Sequence, residues 1–178
     1  EAGATVCGLK AGDTLTLNQA LYALLICSAN DAAVALAELV GGSEEAFVMQ
    51  MNARAMELEM KSTNFENVTG LDDTTVNHVT SAMDIAIMSR ELIKHDIILK
   101  YSSIWQDTIR NGEFTLTNTN RLVRYYEGCT GLKTGTTAKA GCCVSASAKR
   151  DNTHLIAVVM GSENSSDRFE TAKALLSW

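Results

Sequence analysis

Four consecutive residues near the C-terminal end, Lys133-Thr134-Gly135-Thr136, suit the binding of a carboxylate along a strand. Lysine supplies a positive charge, and threonine adds a short hydroxyl donor beside it. Because glycine has no side chain, the backbone of a ligand can approach the strand closely at Gly135. The backbone N–H of Thr136 is then available to an oxyanion that develops during a reaction. The stretch predicts an anion site, although a solvated lysine at a strand end would also fit it.

A hydroxyl and an amide lie two residues apart in Ser28-Ala29-Asn30. The spacing of apolar residues predicts a helix on each side of this segment. The second helix is expected over Ala32–Val40, with Asn30 or Asp31 as its N-terminal cap and Gly41-Gly42 at its end. Ser28 and Asn30 are therefore expected at a corner between two helices.

The rest of the chain predicts a single α+β domain over residues 1–178, helical to about residue 103 and then mainly strands. Asn111-Gly112 between alternating segments is a strong β-hairpin signal, and three later strand-like segments predict an antiparallel meander. The irregular segment Lys61–Asn77 is long enough to be functional. The remaining helices are expected to begin at Ser43, at Thr80 or Ser81, and at Ser165 or Ser166, the last of them reaching Trp178.

Composition excludes several classes of function. The 178 residues carry a net charge of -6 from 15 basic and 21 acidic side chains, with no basic stripe. Such a surface argues against nucleic acid or an anionic membrane as the main partner. The five cysteines have no C-x-x-C spacing, so the sequence predicts no zinc site, no other metal and no cofactor.

Several motifs occur in an order that resembles the low-molecular-mass D-alanyl-D-alanine carboxypeptidases, a family of penicillin-binding serine enzymes. Ser28-x-Asn30 and Lys133-Thr134-Gly135 match the second and third motifs of such enzymes. The likeness covers essentially the whole chain and includes Gly70-Leu71-Asp72, the segment from His78 to Asp84, Asn118-Thr119-Asn120-Arg121-Leu122, Thr137 and Ala140-Gly141.

The resemblance implies a β-lactamase/transpeptidase-like fold and a defined chemistry. Enzymes of this family remove the terminal D-alanine of peptidoglycan stem peptides through an acyl-enzyme, and β-lactam antibiotics trap that stage. The resemblance places such an enzyme outside the cytoplasm, in the cell envelope, either periplasmic or on the outer face of the cytoplasmic membrane.

The resemblance also implies roles for individual residues. Lys133 and Thr134 would hold the terminal carboxylate, and Gly135 would leave room for the substrate. Asn30 would bind a peptide carbonyl and help to fix a catalytic lysine, while Ser28 would relay a proton to the leaving amine. The Thr136 N–H would form half of the oxyanion hole. Arg121 would be a second carboxylate contact, or else a surface or loop-bracing arginine.

One motif of the family is absent from these residues. No serine of this chain has a lysine three positions later. The segment Thr130-Gly131-Leu132-Lys133 has the right spacing, but it begins with threonine and overlaps the third motif. The nucleophile and general base are therefore expected upstream of Glu1, together with strands that complete the sheet. We expect the chain to be a truncated catalytic domain that is inactive alone, and to pair with the missing segment or with a second copy of itself.

Two other functions fit part of this pattern. A class A β-lactamase relative would share the motifs, but the sequence lacks a convincing Glu-x-x-x-Asn element for deacylation. A non-catalytic cell-wall protein would keep the carboxylate site without the nucleophilic serine. It would bind D-Ala-D-Ala peptides reversibly and form no covalent adduct with penicillin.

Overall fold

The computed structural model describes residues 5–178, in which helices precede a β-hairpin, a three-stranded sheet and a final helix. This order confirms the predicted α+β class. The expectation of an extended lead-in falls partly on residues 1–4, which lie outside the described residues. The helices are α1 (Leu17–Leu25), α2 (Asn30–Gly41), α3 (Glu44–Glu57), α4 (Ala82–Leu92), α5 (Asp96–Ser102), α6 (Leu122–Tyr125) and α7 (Ser165–Leu176), and the strands are β1 (Gln106–Ile109), β2 (Phe114–Thr117), β3 (Cys129–Thr137), β4 (Gly141–Arg150) and β5 (Thr153–Ser162).

Side-chain caps set the beginnings of most long helices. The Ser43 and Ser81 hydroxyls accept hydrogen bonds from backbone N–H groups in the first turns of α3 and α4, as predicted. The predicted cap of α2 is wrong, because Ala29 occupies the cap position and contributes no side-chain hydrogen bond. Asn30 is already helical. The predicted cap of α7 is wrong by one residue, because Asn164 rather than Ser165 or Ser166 accepts the bond.

The strands form the hairpin and the meander that the sequence predicts. β1 pairs with β2, and the larger sheet has the antiparallel order β3-β4-β5. Asn111 and Gly112 both have positive φ, at 55° and 92°, which matches the backbone that an Asn-Gly turn favours. Within residues 5–178, β5 pairs with a strand on one side only.

Two apolar clusters hold these elements together. In the first, α7 places Phe169 and Leu176 on the face of β4 and β5 that carries Val144 and Ala157. On another side of the sheet, the Ser89 hydroxyl of α4 bonds the Ser145 hydroxyl of β4 at 2.7 Å. The second cluster joins the α1–α2 corner to the hairpin through residues that include Ala23, Ile26, Ala29, Ile109 and Leu116. This second cluster includes Ala29 and contacts Cys27, the two residues that flank Ser28 in sequence.

Candidate active site

The contact that defines the site joins two residues 105 positions apart in sequence. The Lys133 ammonium on β3 donates to Ser28 Oγ at 2.6 Å and to the Thr134 carbonyl at 2.8 Å. A charge-assisted hydrogen bond of this length is among the stronger ones in proteins. Because the ammonium donates, the hydroxyl proton of Ser28 remains free to be given to another group.

Backbone hydrogen bonds fix Ser28 in an unfavourable conformation. Ser28 has φ of 62°, in the left-handed region that residues other than glycine seldom occupy. Its neighbours in the α1–α2 corner are held on both sides: the Thr119 N–H donates to the Ile26 carbonyl, and the Asn30 N–H donates to the Thr5 carbonyl. Strain of this kind persists only where surrounding structure enforces it. The corner thus directs the Ser28 side chain towards β3.

Asp31 strengthens the same corner instead of capping α2. Its carboxylate accepts hydrogen bonds from the Cys7 N–H at 3.0 Å and from the Leu9 N–H at 2.9 Å. Burial opposes ionisation, but the Leu9 and Cys7 bonds more than offset it and lower the pKa of Asp31. The carboxylate therefore ties the extended segment before α1 to the first turn of α2.

A cavity of about 350 Å³ opens in front of the Lys133–Ser28 pair. One wall is the edge of β3 from Lys133 to Thr137, and another is the α1–α2 corner with Ser28 and Asn30. A larger, mainly apolar cleft lies between α3 and α4, but its lining residues include no serine or threonine. The β3 cavity is the better candidate, because convergent polar groups in a concave site mark binding and catalysis.

The predicted site residues other than Arg121 all lie on this cavity. The Asn30 amide makes no hydrogen bond with any residue in the range 5–178, which leaves both its donor and its acceptor available. The Thr134 hydroxyl donates to Thr119 Oγ1 at 2.6 Å, so Thr119 sets its orientation. Gly135 and Thr136 are exposed at the cavity edge.

Burial changes the proton affinity of the central lysine. The pKa of Lys133 is lowered from 10.5 to about 8. Desolvation by burial is the main cause, the Cys27 thiol acts in the opposite direction, and the Arg168 cation adds to the lowering. Lys133 is therefore charged at neutral pH, but it loses its charge at a pH where an exposed lysine keeps it. This makes the cationic state of the site dependent on pH within the range of ordinary buffers.

Part of the irregular segment Lys61–Asn77 forms a further wall of the cavity, and the functional role of this segment stays a prediction. Asn67 to Leu71 and the neighbouring His78 line the cavity. The His78 Nδ1 accepts the Glu66 N–H at 2.9 Å, and Lys139 Nζ donates to the Asp72 carbonyl at 2.6 Å. The Lys139 bond holds the segment against the turn that follows β3.

The structure separates Arg121 from Lys133 and reveals an arginine that the sequence reasoning missed. Arg121 is exposed and lines a different cleft, with Tyr125 and Ser166 among its neighbours. Arg168 of α7 is only 7% exposed and bonds the Gly135 carbonyl and the Thr136 hydroxyl. The sequence does offer one signal for Arg168, because this arginine lies on the last helix, which was expected to cover the sheet.

Comparison with known proteins gives the same family as the motifs. A family model described as D-alanyl-D-alanine carboxypeptidase matches residues 1–164. The chain belongs to the D-alanyl-D-alanine carboxypeptidase family. Among its relatives in that family, the D-alanyl-D-alanine carboxypeptidase DacF of Bacillus subtilis is 45% identical over 163 residues, which are 90% of this chain and 41% of the relative. The family match favours the carboxypeptidase reading over the class A β-lactamase alternative.

Solved structures of penicillin-binding proteins confirm the β-lactamase/transpeptidase-like fold. Penicillin binding protein 6B from Escherichia coli matches with a TM-score of 0.91 and 38% identity, over 100% of this chain and 56% of that one. Penicillin-Binding Protein D2 from Listeria monocytogenes in its ampicillin-bound form matches with a TM-score of 0.88 and 30% identity, over 98% of this chain and 71% of that one. The chain spans about 41% to 45% of the length of the first curated relatives.

Among residues 5–178, no group of three or more His, Cys, Asp or Glu side chains is arranged to hold a metal ion. No helix in the same range is long and apolar enough to cross a membrane.

Proposed function

We propose that this chain is part of a serine D,D-carboxypeptidase that removes the terminal D-alanine from peptidoglycan stem peptides. The observation that carries the proposal is the 2.6 Å bond between Lys133 and Ser28, which brings the second and third family motifs together at one cavity. The family match supplies the reaction class. Such an enzyme works in the cell envelope, outside the cytoplasm.

The substrate is an extended peptide that ends in a free carboxylate. We place that carboxylate at Lys133, whose ammonium donates two hydrogen bonds within the protein and has a third proton to give, and at Thr134, whose hydroxyl would turn from Thr119 to the carboxylate. The peptide then runs along the β3 edge past Gly135, where no side chain obstructs it. The Thr136 N–H is half of the oxyanion hole, and the Asn30 amide binds a substrate carbonyl. The predicted second contact at Arg121 is not part of this proposal, because Arg121 lines a different cleft.

Ser28 supplies the proton for the leaving group. When the scissile amide breaks, the departing D-alanine nitrogen must gain a proton. Ser28 gives its hydroxyl proton to that nitrogen, and Lys133 stabilises the serine oxygen as it becomes more negative. The proton lost by the nucleophilic hydroxyl passes to its general base and then to Ser28, so the proton count balances. Both of those groups belong to the Ser-x-x-Lys motif, which residues 1–178 lack.

Two measurements on the isolated chain test this proposal. The first is NMR titration with N-acetyl-D-Ala-D-Ala, with the same dipeptide as its C-terminal amide for comparison. We expect saturable binding of the free acid, weaker binding of the amide and shifts at Ser28 and Gly135. Equal binding of the acid and the amide, or no binding, would contradict the proposed carboxylate site.

The second measurement is the intact mass of the chain after exposure to a fluorescent penicillin. We expect only the unmodified 19.2 kDa chain, because no Ser-x-x-Lys motif is among its residues. An adduct on this chain would mean that another residue is the nucleophile.

A second candidate is a non-catalytic cell-wall peptide-binding protein, which would hold the peptide at the same cavity in front of Lys133 and Ser28. Adding a peptide that carries the family's Ser-x-x-Lys helix to this chain distinguishes a D,D-carboxypeptidase from a binding protein. Recovery of penicillin acylation on the added peptide supports the enzyme. Reversible D-Ala-D-Ala binding without acylation supports the binding protein.

A further inference from the structure

A small cleft between α6 and α7 carries positive charge that the proposed reaction does not use. Its volume is about 180 Å³, and its polar lining residues are Arg121, Tyr125, Ser166, Glu170 and Lys173. The Lys173 ammonium lies 2.7 Å from the Glu170 carboxylate, so these two charges offset each other. Arg121 is exposed and forms no hydrogen bond or ion pair with any residue in the range 5–178. The cleft therefore keeps one uncompensated positive charge.

A second unpaired arginine lies three positions further along the chain. Arg124 Cζ is 5.4 Å from the ring centroids of both Trp105 and Tyr125, and these two rings are 6.2 Å apart in an edge-to-face contact. A guanidinium that lies over ring faces keeps its in-plane N–H donors available. No residue in the range 5–178 accepts a hydrogen bond from Arg124 or forms an ion pair with it. Because Tyr125 also lines the cleft, Arg124 adjoins the cleft through that ring.

The two arginines repel each other and a third cation. Arg121 has helical φ and ψ, at -62° and -20°, so Arg124 follows it at the spacing of neighbours on a helix face, where like charges are unfavourable. Burial is the main cause of the lowered pKa of Arg168; the Cys142 and Cys143 thiols oppose the lowering, and Arg121 adds to it. None of the three arginines has a carboxylate partner in residues 5–178. An arrangement that local electrostatics disfavours is typical of a functional site.

We propose that the α6–α7 cleft and Arg124 together bind the phosphate groups of a phosphodiester polymer in the cell envelope. The planar guanidinium fork matches a phosphate and binds it through charge-assisted hydrogen bonds. A polymer carries a phosphate on every unit, so one chain can compensate Arg121 and Arg124 at the same time. The Tyr125 ring, 63% exposed beside both arginines, offers apolar area to the sugar or polyol carbons between two phosphates.

Charge favours a single polymer chain over a phosphate-bearing membrane surface. The protein has a net charge of -6, so an extended anionic surface would repel most of it. A narrow polymer meets mainly the local cations of the cleft, and the field of more distant charges is screened by salt. This inference goes beyond the proposed function and takes from it only the location in the cell envelope.

The experiment is isothermal titration of a synthetic glycerol phosphate hexamer into the chain, with a glycerol hexamer that lacks phosphate as the control ligand. The variants Arg121→Gln and Arg124→Gln each remove one guanidinium. Arg90→Gln is the matched control, because Arg90 is an exposed arginine of α4 and the change in charge is the same. The amide NMR fingerprint of each variant checks its fold. Vesicles that contain phosphatidylglycerol are tested in parallel.

We expect the phosphate hexamer to bind, with an affinity that falls as salt rises, and the phosphate-free hexamer not to bind. Arg121→Gln and Arg124→Gln should each lower the affinity about tenfold, because each loses charge-assisted hydrogen bonds to a phosphate. Arg90→Gln should bind as the wild type does. The proposal is overturned if the wild type does not bind the hexamer, if Arg90→Gln loses as much affinity as Arg121→Gln, or if the chain binds the vesicles and not the hexamer.

A competition titration separates this proposal from the proposed function. The hexamer should bind without displacing N-acetyl-D-Ala-D-Ala from the chain, because Arg121 and Lys133 line different cavities. Displacement of the dipeptide would mean a shared site and would contradict a separate anion site. If the wild-type chain does not bind the dipeptide, the proposed carboxylate site fails, and the hexamer titration still judges the α6–α7 cleft.

Discussion

Raising the pH above neutral should weaken carboxylate binding at the β3 cavity, because the pKa of Lys133 is lowered to about 8 and the lysine loses its charge. With that pKa, about 90% of the lysine is charged at about pH 7 and about 10% at about pH 9. If only the charged form binds, the dissociation constant of the free acid should increase about tenfold over this interval. An exposed lysine would stay almost fully charged across the same interval.

The assay is isothermal titration of N-acetyl-D-Ala-D-Ala into the chain at a series of pH values and constant ionic strength. The C-terminal amide of the same dipeptide is the control, since it lacks the charge that Lys133 would bind. Lys133→Met should remove both the free-acid preference and the pH dependence. An affinity that stays constant between about pH 7 and pH 9, or falls equally for the amide, would refute the reasoning.

Three other predictions concern the fold. The folded chain binds the Lys133 proton less tightly than the unfolded chain, so the free energy of unfolding should rise between about pH 8 and pH 10.5. Lys133→Met should remove part of that rise, and urea denaturation at several pH values measures it. Asn120→Ala should cost about 2 to 3 kcal/mol, because it strips buried partners from the Gly131 carbonyl and the Leu122 N–H; denaturant unfolding measures this. The isolated chain should self-associate through the edge of β5 that pairs with no strand of residues 5–178, and light scattering should give a mass above 19.2 kDa.

Each of these predictions has a control. If Lys133→Met leaves the pH profile of stability unchanged, the lowered pKa of Lys133 is wrong. The exposed Asn77→Ala serves beside Asn120→Ala, and equal losses from the two changes would contradict a special role for the buried amide. For self-association, a monodisperse monomer at high protein concentration would contradict the expectation.

Local sequence signals predicted the elements whose cause is itself local. Asn111-Gly112 predicted the hairpin, because both residues tolerate the positive φ that the turn requires. Ser43 and Ser81 marked helix starts, because each hydroxyl bonds a backbone N–H three residues on. The family followed from the order of several motifs, although each motif is weak alone. These features needed no knowledge of distant contacts.

Competition between local and distant partners explains the errors at the helix starts. Asp31 has the right residue type for an N-terminal cap, but the Cys7 and Leu9 N–H groups take its carboxylate from 22 to 24 residues away. Asn164 was overlooked because two serines follow it directly, and all three residue types favour caps. Which of them caps depends on where β5 ends, and that is set by pairing in the sheet.

The sequence by itself determined which residues could do chemistry and the order in which they occur, because these depend on residue type and spacing. Only the tertiary structure decided which of them meet. It brought Lys133 to Ser28, turned the Thr134 hydroxyl towards Thr119 and placed Arg168 behind Gly135. Such contacts depend on how helices and sheet pack, since a helical pattern marks which face of α7 is buried but not which strand residue that face will touch.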